Sequence, residues 1–137
     1  MSEVLSISTK SKTQVVNVTS EVQDRIGSWA DSIALLQIPH TTAALIVSED
    51  DDDLRADLAR FLKVWLATSR PFTHSRNANP NAEAHISSSM LGSSVLVPVL
   101  GGRLQLGRWQ QLLLIEMDGP KERSIACWPM AFAMPIR

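Results

Sequence analysis

Residues 95–117 read VLVPVLGGRLQLGRWQQLLLIEM, and this stretch decides the fold class. Val95 to Leu100 is a β-branched, apolar run, which is a strand pattern. Gly101-Gly102 suits a tight turn that needs positive φ, leading into a second strand from Arg103 to Leu106. Trp109 to Met117 is a strongly apolar third strand. Asp118-Gly119-Pro120 turns the chain into a final apolar strand or tail, Ser124 to Ile136.

The N-terminal side adds strands and helices. Val4, Leu5 and Ile7, then Val15, Val16 and Val18, predict two strands with Lys10-Ser11-Lys12 as the turn. Thr19 or Ser20 caps a helix from Glu21 to Ser32, with Val22, Ile26, Trp29 and Ile33 on one face. Ile33 to Ile38 and Ala43 to Val47 read as strands, the second entered through His40-Thr41-Thr42. Leu54, Leu58, Phe61, Leu62 and Trp65 form one apolar stripe of a further helix. Ser48, three residues before Asp51, marks its start. The acidic run Asp50 to Asp53 suits the first helical turn, with cation binding as the alternative. Ser69 to Asn81 is a polar loop, and Glu83 to Leu91 a short helix ended by Gly92. Strands at both ends with helices between them predict one α+β domain over residues 1–137.

Composition narrows the class. The chain has 137 residues, 45% of them hydrophobic and 20% charged, enough to build a core without disulfides or a structural metal. Thirteen basic residues against 14 acidic ones argue against a nucleic-acid binder. The single Cys127 forms no intramolecular disulfide and no Cys-rich zinc site. No apolar run reaches the ~18 residues of a membrane helix. The N-terminus lacks a signal-peptide core, so a soluble cytoplasmic protein is expected. The apolar run Trp128 to Ile136 predicts a partner surface and a homo-oligomer.

Three histidines carry the most chemistry. Neutral imidazole is the commonest metal ligand, and three with an open position make a catalytic-type zinc site. The spacings of His40, His74 and His85, 34 and 11 residues, match no local zinc motif, so separate polar roles stand beside a shared ion. His40-Thr41-Thr42 can hold an anion or simply satisfy its own turn. Arg103 can grip a phosphate or stand exposed after the glycines. Glu116 and Asp118 end the apolar strand. Glu116 is either solvent-facing or a cleft acid or base with a raised pKa, exposure being the commoner case. Cys127, between Ala126 and Trp128, reads as a small buried hydrophobe.

Taken together, three blocks are more specific: His40-Thr41-Thr42-Ala43-Ala44 with Glu49, His74 with Asn77 and Asn81-Ala82-Glu83-Ala84-His85, and residues 102–110 with Glu116-Met117-Asp118-Gly119-Pro120. Their order and spacing resemble the YjbQ-type family, also called secondary thiamine-phosphate synthase, from about Ser6 to Cys127. The resemblance implies a single domain of mixed or antiparallel, β-sandwich-like sheets with helices packed outside, assembled as a homotrimer with clefts near subunit boundaries. It implies that His40, His74 and His85 gather in one pocket as ligands of a divalent ion (Zn or Mg) or of an anion, with Glu116 a further catalytic candidate. Thr42, Asn81, Arg103 and Gln110 are the implied cofactor- or ligand-binding neighbours. Glu83 stands where relatives often carry another His, and Ile115 where they often carry Cys.

The implied reaction joins a pyrimidine-methyl diphosphate to a thiazole phosphate and releases diphosphate, possibly as a secondary activity. Charge neutralisation of the leaving group would dominate it. The alternative is a non-enzymatic trimer that binds a metal or a small phosphorylated or anionic metabolite.

Overall fold

The structure, a computed structural model, describes residues 2–75 and 80–131. Its elements are β1 (Glu3–Ser8), β2 (Gln14–Asn17), α1 (Thr19–Ile26), β3 (Ser32–Gln37), β4 (Ala43–Ser48), α2 (Asp52–Ala67), a 3-10 turn (Thr73–Ser75), α3 (Ala82–Leu91), β5 (Ser94–Leu100), β6 (Arg103–Leu104), β7 (Gln111–Glu116) and β8 (Glu122–Ala131). They form a five-stranded sheet in the order β1-β8-β3-β5-β6 and a three-stranded sheet in the order β2-β7-β4. Every pairing among the described residues is antiparallel. The α+β, sandwich-like architecture expected from the sequence is present.

Period-two alternation explains the main core, because a strand buries every second residue when one face is covered. Leu5 and Ile7 of β1, Ala34 and Leu36 of β3, Val97 and Val99 of β5, and Ile125 and Cys127 of β8 all face inward. They meet Ala43, Leu45, Leu112 and Leu114 from the smaller sheet, and Val22 and Ile26 of α1. β7 contributes to both of its faces. Leu113 and Ile115 point the other way, into a second core with Ala44, Leu62 of α2 and Ala84 of α3. The order of layers is therefore large sheet, small sheet, then α2 and α3, with α1 packed against the main core. No helix among the described residues is long and apolar enough to cross a membrane.

Several expectations change. β1 and β2 are not a hairpin: β1 pairs with β8 and β2 with β7, so the polar turn carries the chain from one sheet to the other. The first helix ends at Ile26, and Trp29 packs on the core from beyond it. In α2 the buried apolar residues are Leu62 and Leu66, while Leu54, Phe61 and Trp65 are exposed. The acidic run caps this helix. Asp51 accepts a hydrogen bond from Leu54 N at 3.1 Å, and Asp50 takes Arg55 Nη2 and Asn17 Nδ2, each at 2.7 Å. Gly92 ends α3 at φ 97°, a left-handed backbone that glycine adopts freely. The expected strand beyond Ala131 lies outside the described residues.

Candidate functional site

One end of the sandwich collects the chemistry. β3 and β7 end there, and β4, β5 and β8 begin there: Gln37 pairs with Ser94 and Ala126, and Ala43 with Glu116. At its centre Glu116 is fully buried, not exposed. Its carboxylate accepts from Arg123 Nε at 2.9 Å, Thr9 Oγ1 at 2.7 Å, Met117 N at 3.0 Å and Asp118 N at 3.2 Å, and a second time from Arg123 through Nη2. Burial alone would raise its pKa. The hydrogen bonds from Arg123 and Thr9 outweigh that and hold it below the usual carboxylate range. Both sequence readings, the commoner one of a solvent-facing Glu116 and the alternative of a cleft acid with a raised pKa, are therefore corrected to a buried, ionised partner of Arg123.

This pair reaches the His40 turn. Arg123 Nη2 also donates to Thr42 Oγ1 at 2.9 Å and to the Thr42 carbonyl at 3.2 Å. Ser124 N, next in the chain, donates to His40 Nε2 at 2.9 Å. A ring nitrogen that accepts a backbone N–H carries a lone pair, so the neutral ring keeps its proton on Nδ1. Burial lowers the His40 pKa, and the Arg123 and Lys121 charges lower it further against the opposing pull of Glu116. Nor could Gly119 be larger in this setting, because a Cβ there would overlap Ser11 O and come within 2.9 Å of Thr9 Oγ1.

A second chain of contacts runs to the other histidines. Asp118 accepts from Lys121 Nζ and from Asn81 Nδ2, each at 2.9 Å. Burial opposes its ionisation, but these bonds win and its pKa is lowered. Asn81 Oδ1 lies 3.1 Å from His74 Nε2, and the His74 and His85 rings meet edge to face with centroids 5.0 Å apart. His85 then shares a cleft of about 340 Å³ with His40, Thr41, Ser88, Ser89, Gly92 and Ser93. Ser88 Oγ donates to Ala43 O and Ser89 Oγ to His85 O. The Thr41 and Ser93 hydroxyls have no such commitment among the described residues.

Arg103 and Gln110 do not join this cleft within one chain. Arg103 pairs with Leu100 at the far end of β5 from Ser93, and Gln110 precedes β7 at the end opposite Glu116. Each strand puts roughly 20 Å between them and the cleft. Gly102 approaches Gly27 so closely that a Cβ would overlap Gly27 O, which makes the glycine pair a packing turn. No three His, Cys, Asp or Glu side chains among the described residues are grouped to share one ion. The Nε2 atoms of His40 and His74 are engaged by Ser124 N and Asn81 Oδ1, which leaves Nδ1 as the nitrogen each ring could offer. Cys127 is fully buried with its thiol pushed up to about 11 by desolvation, an inert core residue as expected.

Sequence reasoning missed Arg123, Thr9 and Lys121. For Arg123 a signal existed. It alternates with the inward-facing Ile125 and Cys127, so a period-two reading places its charge in the core, where it needs a carboxylate.

A family model described as "UPF0047 protein YjbQ-like" matches residues 3–130. A UPF0047 protein of Archaeoglobus fulgidus is 35% identical over 121 residues, covering 88% of this chain and 94% of the relative. The UPF0047 protein YugU of Bacillus subtilis is 35% identical over 130 residues, covering 90% and 95%. Among solved structures, a hypothetical protein from Aeropyrum pernix K1 superimposes with a TM-score of 0.89 at 32% identity, covering 96% of this chain and 99% of that one. A YbjQ-like protein of unknown function from Sulfolobus solfataricus P2 gives 0.86 at 30% identity, covering 93% and 94%. By sequence and by fold, the chain belongs to the YjbQ-like UPF0047 family.

Proposed function

We propose that this chain binds a small phosphorylated or otherwise anionic metabolite in the cleft between His40 and His85. The observation that carries the reading is the state of His40. Its Nε2 is saturated by Ser124 N, and its pKa is lowered, so it presents a neutral Nδ1–H at pH 7. A donor fixed by the backbone needs no reorganisation when it meets negative charge. Thr41, Ser93 and the His85 ring add donors around the same space.

The finer reading is the transfer reaction that the family resemblance implies. Its C–O bond to diphosphate breaks, the leaving group keeps the electron pair, and the thiazole nitrogen forms the new C–N bond. Hydrogen-bond donors would stabilise the departing diphosphate, and no general base is required. The second reading is a metabolite-binding protein without turnover; the commitment of Glu116 to Arg123 removes that carboxylate as a catalytic candidate under either reading. We also infer assembly as a homotrimer, supported by the uncovered apolar face of the large sheet.

Calorimetric titration with inorganic diphosphate tests the site. Wild type is expected to bind, and His40→Ala and His85→Ala to weaken binding about tenfold or more, the scale of one hydrogen bond to a charged group. Unchanged affinity in both variants overturns the cleft as the site. EDTA is expected to leave the affinity unaltered, since hydrogen bonds alone carry it. Coupling assays with the two phosphorylated precursors then separate transferase from binder.

A further inference from the structure

A larger cavity lies on the other side of α3. Its volume is about 920 Å³, at the upper end of the range that small-molecule sites occupy. The two cavities take different faces of one helix. His85, Ser88, Ser89 and Gly92 line the histidine cleft, whereas Glu83, Ala84 and Ser87 line the larger one. Its inner surface is apolar: Leu62, Leu66, Ala84 and Met117 are all buried side chains of the second core or α2.

Its rim is cationic. Lys12, Arg60, Lys63 and Arg70 line it, with Glu83 as the one lining carboxylate. Arg70 already bridges Glu83, and Arg60 pairs with Asp57 outside the cavity. Lys12 and Lys63 have no carboxylate in ion-pair range among the described residues, although the Lys12 charge acts on Asp118 from beyond that range. An apolar interior with two ammonium groups outside any ion pair at the mouth is complementary to one ligand chemistry. We propose that this cavity binds a small amphiphilic anion, an apolar body carrying a single carboxylate or phosphate head. The head sits between Lys12 and Lys63 and the body lies against Leu62, Leu66 and Met117. The two cavities share no lining residue, although Asn81, which lines this one, bonds His74 beside the histidine cleft.

The test uses the full chain and the fluorescent anion 1-anilinonaphthalene-8-sulfonate. One probe per chain is expected. Decanoate or 1-naphthyl phosphate is expected to displace it, and the stronger competitor shows whether the body is aliphatic or aromatic. Decanol and inorganic diphosphate are expected not to compete. Lys63→Glu, at an exposed position, is expected to weaken the probe about tenfold by reversing one charge at the mouth. Leu66→Trp is expected to fill the cavity and abolish binding, with near-UV circular dichroism to check folding; if it does not fold, Lys63→Glu decides. Absence of probe binding, equal competition by decanol, or wild-type affinity in Lys63→Glu overturns the proposal. Displacement by diphosphate also overturns it, because the probe would then report the histidine cleft.

Discussion

Glu116→Gln would leave Arg123 as a charge with no water and no counter-charge. Breaking one side of a buried pair costs more than the pair contributes, so a loss of about 3 kcal/mol is expected in urea denaturation. The double variant Glu116→Leu/Arg123→Leu is expected to lose less than the single one, since neither charge then remains. The acid limb carries a second signature. Glu116 has its folded pKa held below the reference 4.5, so the unfolded chain binds the proton more readily. Its stabilisation is present above pH 4.5 and is lost as pH falls through the folded value. Asp118 and Asp50 act with the same sign. The melting temperature of wild type should therefore fall below that pH, and that of Glu116→Gln should fall less steeply. An identical slope would mean that the pair does not govern acid stability.

At the scale of elements, α2 is the member held most by its start. Asp51 caps it, and Arg55 ties it to the small sheet by donating to Val15 O at 2.7 Å while holding Asp50. Asp51→Ala is expected to cost about 1 kcal/mol. Arg55→Ala should accelerate amide exchange along α2 while leaving β7 and β8 protected; uniform acceleration would show that the helix opens only with the whole domain. The existence of α2, α3 and most strands was legible because their apolar spacing and the glycine stop are local. The allocation of β1 and β2 to different sheets was not, because it is set by partners about a hundred residues away, in β8 and β7. The same limit governed the site. His40, His85 and Asn81 were legible as chemistry-bearing residues, and the alternation of β8 marked Arg123 as inward. That Glu116 would meet it, and so lose any role in proton transfer, depended on how two strands from different sheets converge.

For the molecule as a whole, the open side of the five-stranded sheet is the feature that one chain leaves unexplained. Leu35 stands between Leu96 and Trp128 in register, and Ile33 between Pro98 and Met130. These rows are apolar, yet Leu96 is 61% exposed, Trp128 48% and Met130 46%. All three helices lie elsewhere, on the small sheet or against the main core. A contiguous apolar face of this kind marks an interaction surface, and a stable interface needs roughly 800 Å² from each partner. If the proposed homotrimer buries this face, light scattering behind a sizing column should give three times the 15.1 kDa chain mass. Trp128→Glu, placing a charge in the middle of the rows, should then shift the protein to monomer without unfolding it, because the residue makes no contribution to the main core. Wild type that elutes as a monomer at tens of micromolar would sink the trimer. A trimer that survives Trp128→Glu would move the interface off this sheet, and the exposed Leu54, Phe61 and Trp65 of α2 would be the next surface to charge.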